Sequence, residues 1–185
     1  MFTPAFPILT DRLSLRRFSM DDLDALYAIQ SREDVARYLY WGPRTRGEVR
    51  ETLVQRVNQY RLDQLNDGLA MAVVRRDTDQ LIGSANLTYT SREHGQAEIG
   101  YVLHPDQHGN GYGTEVAIVL LRLGFEGVGV HRIFGRLDGR NIASARVLEK
   151  AGMRREAHLR ENEFVKGEWT DEMIYGLLAK EWRER

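Results

Sequence analysis

Three glycines at alternate positions mark one short segment of the chain, Gln107-His-Gly-Asn-Gly-Tyr-Gly-Thr114. The stretch before it alternates like a strand, and the stretch after it has the apolar spacing of a helix. Glycine adopts backbone angles that side chains forbid, so such a loop can turn successive N–H groups towards one point. The N-terminus of the following helix adds about half a positive charge there. The segment therefore predicts a cradle for phosphate or pyrophosphate, and a tight turn that binds nothing is the alternative.

Two well-known phosphate-binding motifs do not fit this loop. A P-loop ends in Gly-Lys-Ser/Thr, whereas Gly113 is followed directly by Thr114 and no lysine lies nearby. A dinucleotide-binding fingerprint that starts at Gly109 and Gly111 requires a third glycine at the position of Thr114. A nucleotide-phosphate enzyme is therefore disfavoured.

Periodicity predicts the elements on both sides of the loop. Strands are predicted at 12–18, 69–75, 81–89, 97–103, 133–137, 154–163 and 173–178. Helices are predicted at 20–30, 47–65, 114–126 and 142–150. Ser19 is the expected N-cap of the first helix, and Gly152 is the expected stop of the last. Hairpins followed by alternating strands and helices indicate a mixed α/β sheet.

Composition excludes several classes of protein. The length of 185 residues predicts a single domain over 1–185. The formal net charge of −1 gives no strong field for nucleic acid or an anionic membrane, so neither is an expected partner. The lack of cysteine excludes a disulfide scaffold, a cysteine-ligated zinc site and a thiol nucleophile. The longest strongly apolar run, 116–121, is too short to span a membrane, so a soluble cytoplasmic protein is expected.

Four segments on either side of the glycine loop form, together with it, the pattern of a known protein family. They are Glu98-Ile-Gly-Tyr-Val-Leu-His-Pro105, His131-Arg-Ile-Phe-Gly-Arg-Leu-Asp138, Asn141-Ile-Ala-Ser144 and Leu148-Glu-Lys-Ala-Gly-Met153. With the loop, they resemble the acetyl-CoA-binding core of the GNAT N-acetyltransferases. The resemblance is greatest to the RimJ/RimL type, which acetylates N-terminal amines of ribosomal proteins. Segments 10–16 and 171–175 extend it over nearly the whole chain.

The resemblance implies a fold, a cosubstrate and a binding site. The implied GNAT fold is α/β (α+β), with a mostly antiparallel sheet of about seven strands, splayed at the acetyl-CoA site, and about four flanking helices. Acetyl-CoA is the implied cosubstrate, and no metal is expected. The implied cofactor-binding residues are Val102, Leu103, His108, Gly109, Asn110, Gly111, Tyr112, Gly113, Thr114, Asn141 and Ser144. His108 departs from the family, which usually has Gln or Arg at that position.

The implied reaction is acetyl transfer to a primary amine by direct attack in a ternary complex, and the lack of cysteine favours this over an acyl-enzyme. Ser144 matches the family hydroxyl near the sulfur, which can donate a proton to the thiolate. Helix capping is the simpler alternative for Ser144 and Asn141. Glu163 matches the family carboxylate proposed as the base, with Glu98 or water as alternatives.

The acceptor remains open between a ribosomal or other protein N-terminus and a small amine. The arginines and aromatic residues of 37–50 are a candidate acceptor pocket, and core packing with solvated arginines is the alternative. RimJ/RimL relatives imply a homodimer. A non-catalytic acyl-CoA-binding module is the competing function, although the presence of both Ser144 and Glu163 favours catalysis. His104 and His108 lie in a loop without an evident third ligand, so they predict no metal site.

Overall fold

The computed structural model describes residues 2–62 and 67–185. Its strands are β1 Ile8–Leu9, β2 Leu13–Arg16, β3 Gly68–Arg75, β4 Leu81–Ser91, β5 Gln96–Leu103, β6 Arg132–Asp138, β7 Arg154–Val165 and β8 Glu168–Leu178. They form one sheet in the order β1-β2-β3-β4-β5-β6-β8-β7. The pair β5–β6 is parallel and the other neighbouring pairs are antiparallel. The expected mixed, mostly antiparallel sheet is confirmed.

The described residues contain six α-helices. They are α1 Leu23–Gln30, α2 Glu33–Ala36, α3 Arg46–Asn58, α4 Tyr112–Arg122, α5 Ile142–Lys150 and α6 Ala179–Arg183. Ser19 is the N-cap of the first helical segment, as predicted, and Asp22 completes a capping box with it. A π-helical turn, Leu123–Val128, continues α4. Among the described residues, no helix has the length and apolar character needed to cross a membrane.

Most predicted elements are present, and the differences have local causes. All seven predicted strands and four predicted helices occur, but β1, α2 and α6 are too short to show a periodicity. The helix predicted over 47–65 ends at Asn58, because Leu62 leaves the helix and its backbone pairs with Phe2 through two hydrogen bonds of 2.9 Å. The predicted end of that helix, Leu65, lies outside the described residues.

Helices cover the sheet on both faces and divide the core in two. Helices α1 and α3 pack Leu26 and Leu53 against one face, together with Val102 of β5. Helices α4 and α5 pack on the other face, where they meet Ile99 and Leu103. Because side chains alternate along a strand, β5 contributes residues to both sides of the sheet.

Strands β5 and β6 diverge at the centre of the sheet. Their parallel pairing joins 96–98 to 132–134 and stops at Glu98. Beyond that point β6 continues along β8 and β5 continues along β4. The edge of β5 that faces β6 is therefore open from Ile99 onwards, which confirms the expected splay.

Candidate active site

A cleft of about 500 Å³ opens beside the free part of β5. The glycine loop, the first turns of α4 and α5, and residues around α2 form its walls. Ten of the predicted cofactor-binding residues line it: Val102, Leu103, His108, Gly109, Gly111, Tyr112, Gly113, Thr114, Asn141 and Ser144. The remaining residue, Asn110, does not line the cleft. Its side-chain amide donates to the carbonyls of Gln107 (3.3 Å) and His108 (3.2 Å) and so stabilises the turn of the loop.

The three glycines of the loop have two different roles. Gly109 and Gly111 have φ values of +79° and +81°, in the left-handed region that other residues rarely adopt. Gly111 is the N-cap of α4 and carries no side chain, so the first N–H groups of the helix face the cleft uncapped. Gly113 lies within α4, where an added Cβ would come within 3.1 Å of Val147. Two glycines therefore shape an anion-binding turn, and the third lets α4 pack closely on α5.

Arg12, the residue before β2, holds this loop in place, a role that the sequence did not predict. Its Nη1 donates to the Asn110 carbonyl at 2.8 Å, and its Nε and Nη2 donate to Glu115 at 2.8 and 2.6 Å. Burial opposes ionisation of Glu115, but hydrogen bonds from Thr10 and Arg12 lower its pKa below the usual value. Arg12 is part of the 10–16 segment that carried the family resemblance, and that was the only signal available for it.

His108 joins the start of the loop to the end of β5. Its Nε2 lies 3.2 Å from the Leu103 carbonyl, which can only accept, so Nε2 carries the proton in this contact. His108, which replaces the usual Gln or Arg of the family, thus helps to hold the glycine loop against the end of β5.

Two hydroxyl groups meet inside the cleft. Ser144 Oγ lies 3.0 Å from the phenol oxygen of Tyr101, which comes from β5. Burial raises the pKa of Tyr101 to about 12, although its contact with Ser144 opposes the shift. Asn141 Oδ1 accepts from the Ser144 backbone N–H at 3.1 Å, so Asn141 caps α5 while both residues line the cleft. The sequence assigned no role to Tyr101, because it lies 43 positions from Ser144 and no local pattern joins the two.

The two candidate bases lie outside the residues that line the cleft. Glu163, on β7, accepts a hydrogen bond from the Tyr40 phenol at 3.0 Å. Burial, followed by the Glu163 contact, raises the pKa of Tyr40 well above its usual value, so the phenol stays protonated as a donor. Glu98, on β5, has both oxygens occupied by Arg136, at 3.0 Å from Nε and 3.3 Å from Nη2.

The histidines of the loop are occupied by local contacts. His104 Nδ1 accepts from the Asp106 backbone N–H at 3.2 Å. Over 2–62 and 67–185, no group of three or more His, Asp or Glu side chains is arranged to hold a metal ion.

Residues 12–154 match the family model of the acetyltransferase (GNAT) domain. This chain belongs to the GNAT acetyltransferases. The uncharacterized N-acetyltransferase YnaD of Bacillus subtilis is 34% identical over 175 residues, which cover 95% of this chain and 98% of that protein. A GNAT-family acetyltransferase structure from Bacillus anthracis matches with a TM-score of 0.83 and 29% identity, covering 97% of this chain and 99% of that one.

A third comparison concerns the fold alone. The spermidine N-acetyltransferase of Vibrio cholerae, solved in complex with CoA and spermine, matches with a TM-score of 0.79 at 20% identity, over 94% of this chain and 99% of that one. Together these findings establish the GNAT fold, with eight strands rather than the expected seven or so. The protein is an acetyl-CoA-dependent N-acetyltransferase, and the open backbone of β5, the turn at Gly109–Gly111 and the uncapped start of α4 suit that cosubstrate.

Proposed function

We propose that this GNAT enzyme is of the RimJ/RimL type and acetylates a primary amine by direct attack in a ternary complex. The observation that carries the proposal is the pair of hydroxyls, Ser144 and Tyr101, 3.0 Å apart in the cleft beside the splayed strands. A proton donor at the place where β5 opens is what release of a thiolate requires. The lack of cysteine is consistent with direct transfer.

The proposed binding roles follow the lining of the cleft. The backbone N–H groups of 109–114 hold the pyrophosphate, because two left-handed glycines and the start of α4 direct them to the same region. Val102 and Leu103 offer the open backbone of β5 to the pantetheine arm. Asn141 uses its Oδ1 to cap α5, which leaves its amide N–H groups to donate into the cleft. His108 and Asn110 keep the loop in this shape.

The proposed chemistry needs one proton removed and one delivered. Acetyl-CoA supplies the thioester, whose C–S bond breaks as the C–N bond to the amine forms. Ser144 donates a proton to the departing sulfur and receives one from Tyr101. Because its pKa is raised to about 12, Tyr101 is protonated before the step and regains a proton from water after it. Glu163 takes the proton that the amine loses, directly or through water. Glu163 is preferred to Glu98 because Arg136 already occupies both Glu98 oxygens.

We also propose the wider setting of the enzyme. Residues 1–185 form a single domain that acts in the cytoplasm as a homodimer, as the RimJ/RimL type implies. The acceptor is a ribosomal or other protein N-terminus or a small amine. The near-zero net charge does not oppose association of two copies. Light scattering that returns a 21 kDa species over a wide concentration range would refute the dimer.

Acetyl transfer is tested with a panel of amine acceptors. Each amine is incubated with acetyl-CoA and the enzyme, and thiol release is recorded against time. We expect release above the enzyme-free rate for at least one class of acceptor. If CoA binds tightly and no amine supports release, the chain acts as an acyl-CoA-binding module instead.

A further inference from the structure

Three carboxylates meet on the face of the sheet that carries α1 and α3. We call Glu98, Glu163, Glu172 and the nearby Arg136 the acidic cluster. Glu98 shares the face of Val102, because the two are separated by an even number of positions on β5. Glu163 is paired with Thr170, two residues before Glu172, so these two carboxylates are diagonal neighbours. Four different strands therefore bring one cation and three anions together.

Glu172 is the unusual member of the cluster. It is only 4% exposed, and its Oε2 accepts from Asn162 Nδ2 at 2.9 Å. Its Oε1 is buried and has no hydrogen-bond donor in the described part of the chain. Arg136 Nη1 lies 3.6 Å from this oxygen, close enough for an ion pair but beyond hydrogen-bond distance. A buried carboxylate oxygen without a donor is costly, and a ligand that donates to it would gain that energy on binding.

The charge of the cluster selects the kind of ligand. Arg136 donates two hydrogen bonds to Glu98 and lies 3.6 Å from Glu172, so the three carboxylates share one cation. The hydrogen bonds to Glu163 and Glu172 come from neutral groups, those of Tyr40 and Asn162. Burial, followed by the charge of Glu163, raises the pKa of Glu172. An anion is disfavoured here, and the described carboxylates are not arranged for a metal ion. An organic ammonium group fits, because it donates up to three N–H bonds and brings a positive charge.

The cluster is also connected to the cleft. Val102 lines the cleft, and Glu98 lies four residues away on the same face of β5, about 13 Å along the strand. The gap between β5 and β6 opens between these two points. An acceptor that approaches the cleft from the α1 and α3 side therefore passes the acidic cluster.

We propose that Glu172, within the acidic cluster, binds a second, protonated amino group of the acceptor, so that diamines and polyamines are preferred to monoamines. This inference rests on the proposed function and adds the substrate class to it. Glu163 faces the reacting amine, and Glu172, deeper in the sheet, holds the second amine. A protein N-terminus would satisfy the same site only with a further cationic group near its α-amine.

The test compares 1,4-diaminobutane with butylamine, which has the same carbon chain and one amine. For the wild-type enzyme we expect kcat/KM for the diamine to be at least tenfold higher, mainly through KM. Calorimetry should show that the diamine binds the enzyme–CoA complex at least tenfold more tightly than the monoamine. Equal values for the two amines, in an enzyme that acetylates them, would overturn the inference and leave the proposed function standing.

A substitution of Glu172 tests whether this residue causes the preference for the diamine. Glu172→Gln should reduce the diamine-to-monoamine ratio of kcat/KM by about tenfold, and Glu161→Gln, an exposed carboxylate on β7 outside the cluster, should leave that ratio unchanged. If Glu172→Gln lowers both amines equally, Glu172 is structural and the inference is wrong. If no amine is acetylated, the proposed function fails, and calorimetric binding of the diamine still decides the inference. The wild-type comparison remains decisive if the Glu172 variant does not fold.

Discussion

Replacing Arg12 with alanine should weaken acetyl-CoA binding although Arg12 does not line the cleft. In the intact protein Arg12 donates to the Asn110 carbonyl at 2.8 Å and makes two further hydrogen bonds to Glu115 on α4. These contacts hold the glycine loop against the start of the helix. Their loss gives the loop more conformations in the free protein, and binding must then order it again.

The size of the effect follows from the exposure of the pair. Hydrogen bonds to a charged group contribute about 1.5–3 kcal/mol each when they are well shielded. The Arg12 side chain is 47% exposed and that of Glu115 is 16% exposed, so solvent screens the pair and about 1–2 kcal/mol for the whole set is reasonable. If that energy serves to order the loop, the affinity for acetyl-CoA falls about 5–30-fold.

Calorimetric titration with CoA measures this directly. Arg12→Lys keeps the charge but cannot form the forked contact with Glu115, so we expect an intermediate loss. Arg46→Ala is the matched control, because Arg46 forms an exposed ion pair with Asp24 between α3 and α1. Equal CoA affinities for the wild type and a folded Arg12→Ala variant would refute the reasoning.

Three further predictions concern the proposed catalytic and binding residues. Gly111→Val should abolish measurable CoA binding in calorimetry. A β-branched residue at φ +81° costs about 1–3 kcal/mol, and its side chain occupies the space through which the cofactor reaches the loop. Unchanged affinity in a folded variant would contradict this prediction. Ser144→Ala should lower kcat by about 10²–10⁴-fold while CoA affinity stays within a few-fold, as Asn141 and the loop remain. Glu163→Gln should lower the rate most at low pH, where fewer amine molecules are neutral. If the Ser144 and Glu163 variants both keep wild-type turnover across the pH range, with melting curves that match the wild type, both residues are structural. Glu98 or water then takes the role of the base.

The sequence alone determined those parts of the site whose conformation depends on residues close together in the chain. The helix predicted over 142–150 coincides with α5, because Asn141 caps its start and Gly152 ends it with a φ of +83°. The glycine loop was placed correctly between β5 and α4 for the same reason. Left-handed turns, caps and strand alternation each depend on a few consecutive residues, so they can be recognised in the sequence.

Contacts between distant segments were decided by the tertiary structure. Arg12 and Glu115 are 103 positions apart, and Tyr101 and Ser144 are 43 apart. The acidic cluster draws residues from β5, β6, β7 and β8, and its geometry depends on the order and register of those strands. Local periodicity tells which residues share a face of one strand, but not which strands become neighbours. The free energy that selects the strand order comes from burying the whole sheet between its helices, and that burial exists only in the folded chain.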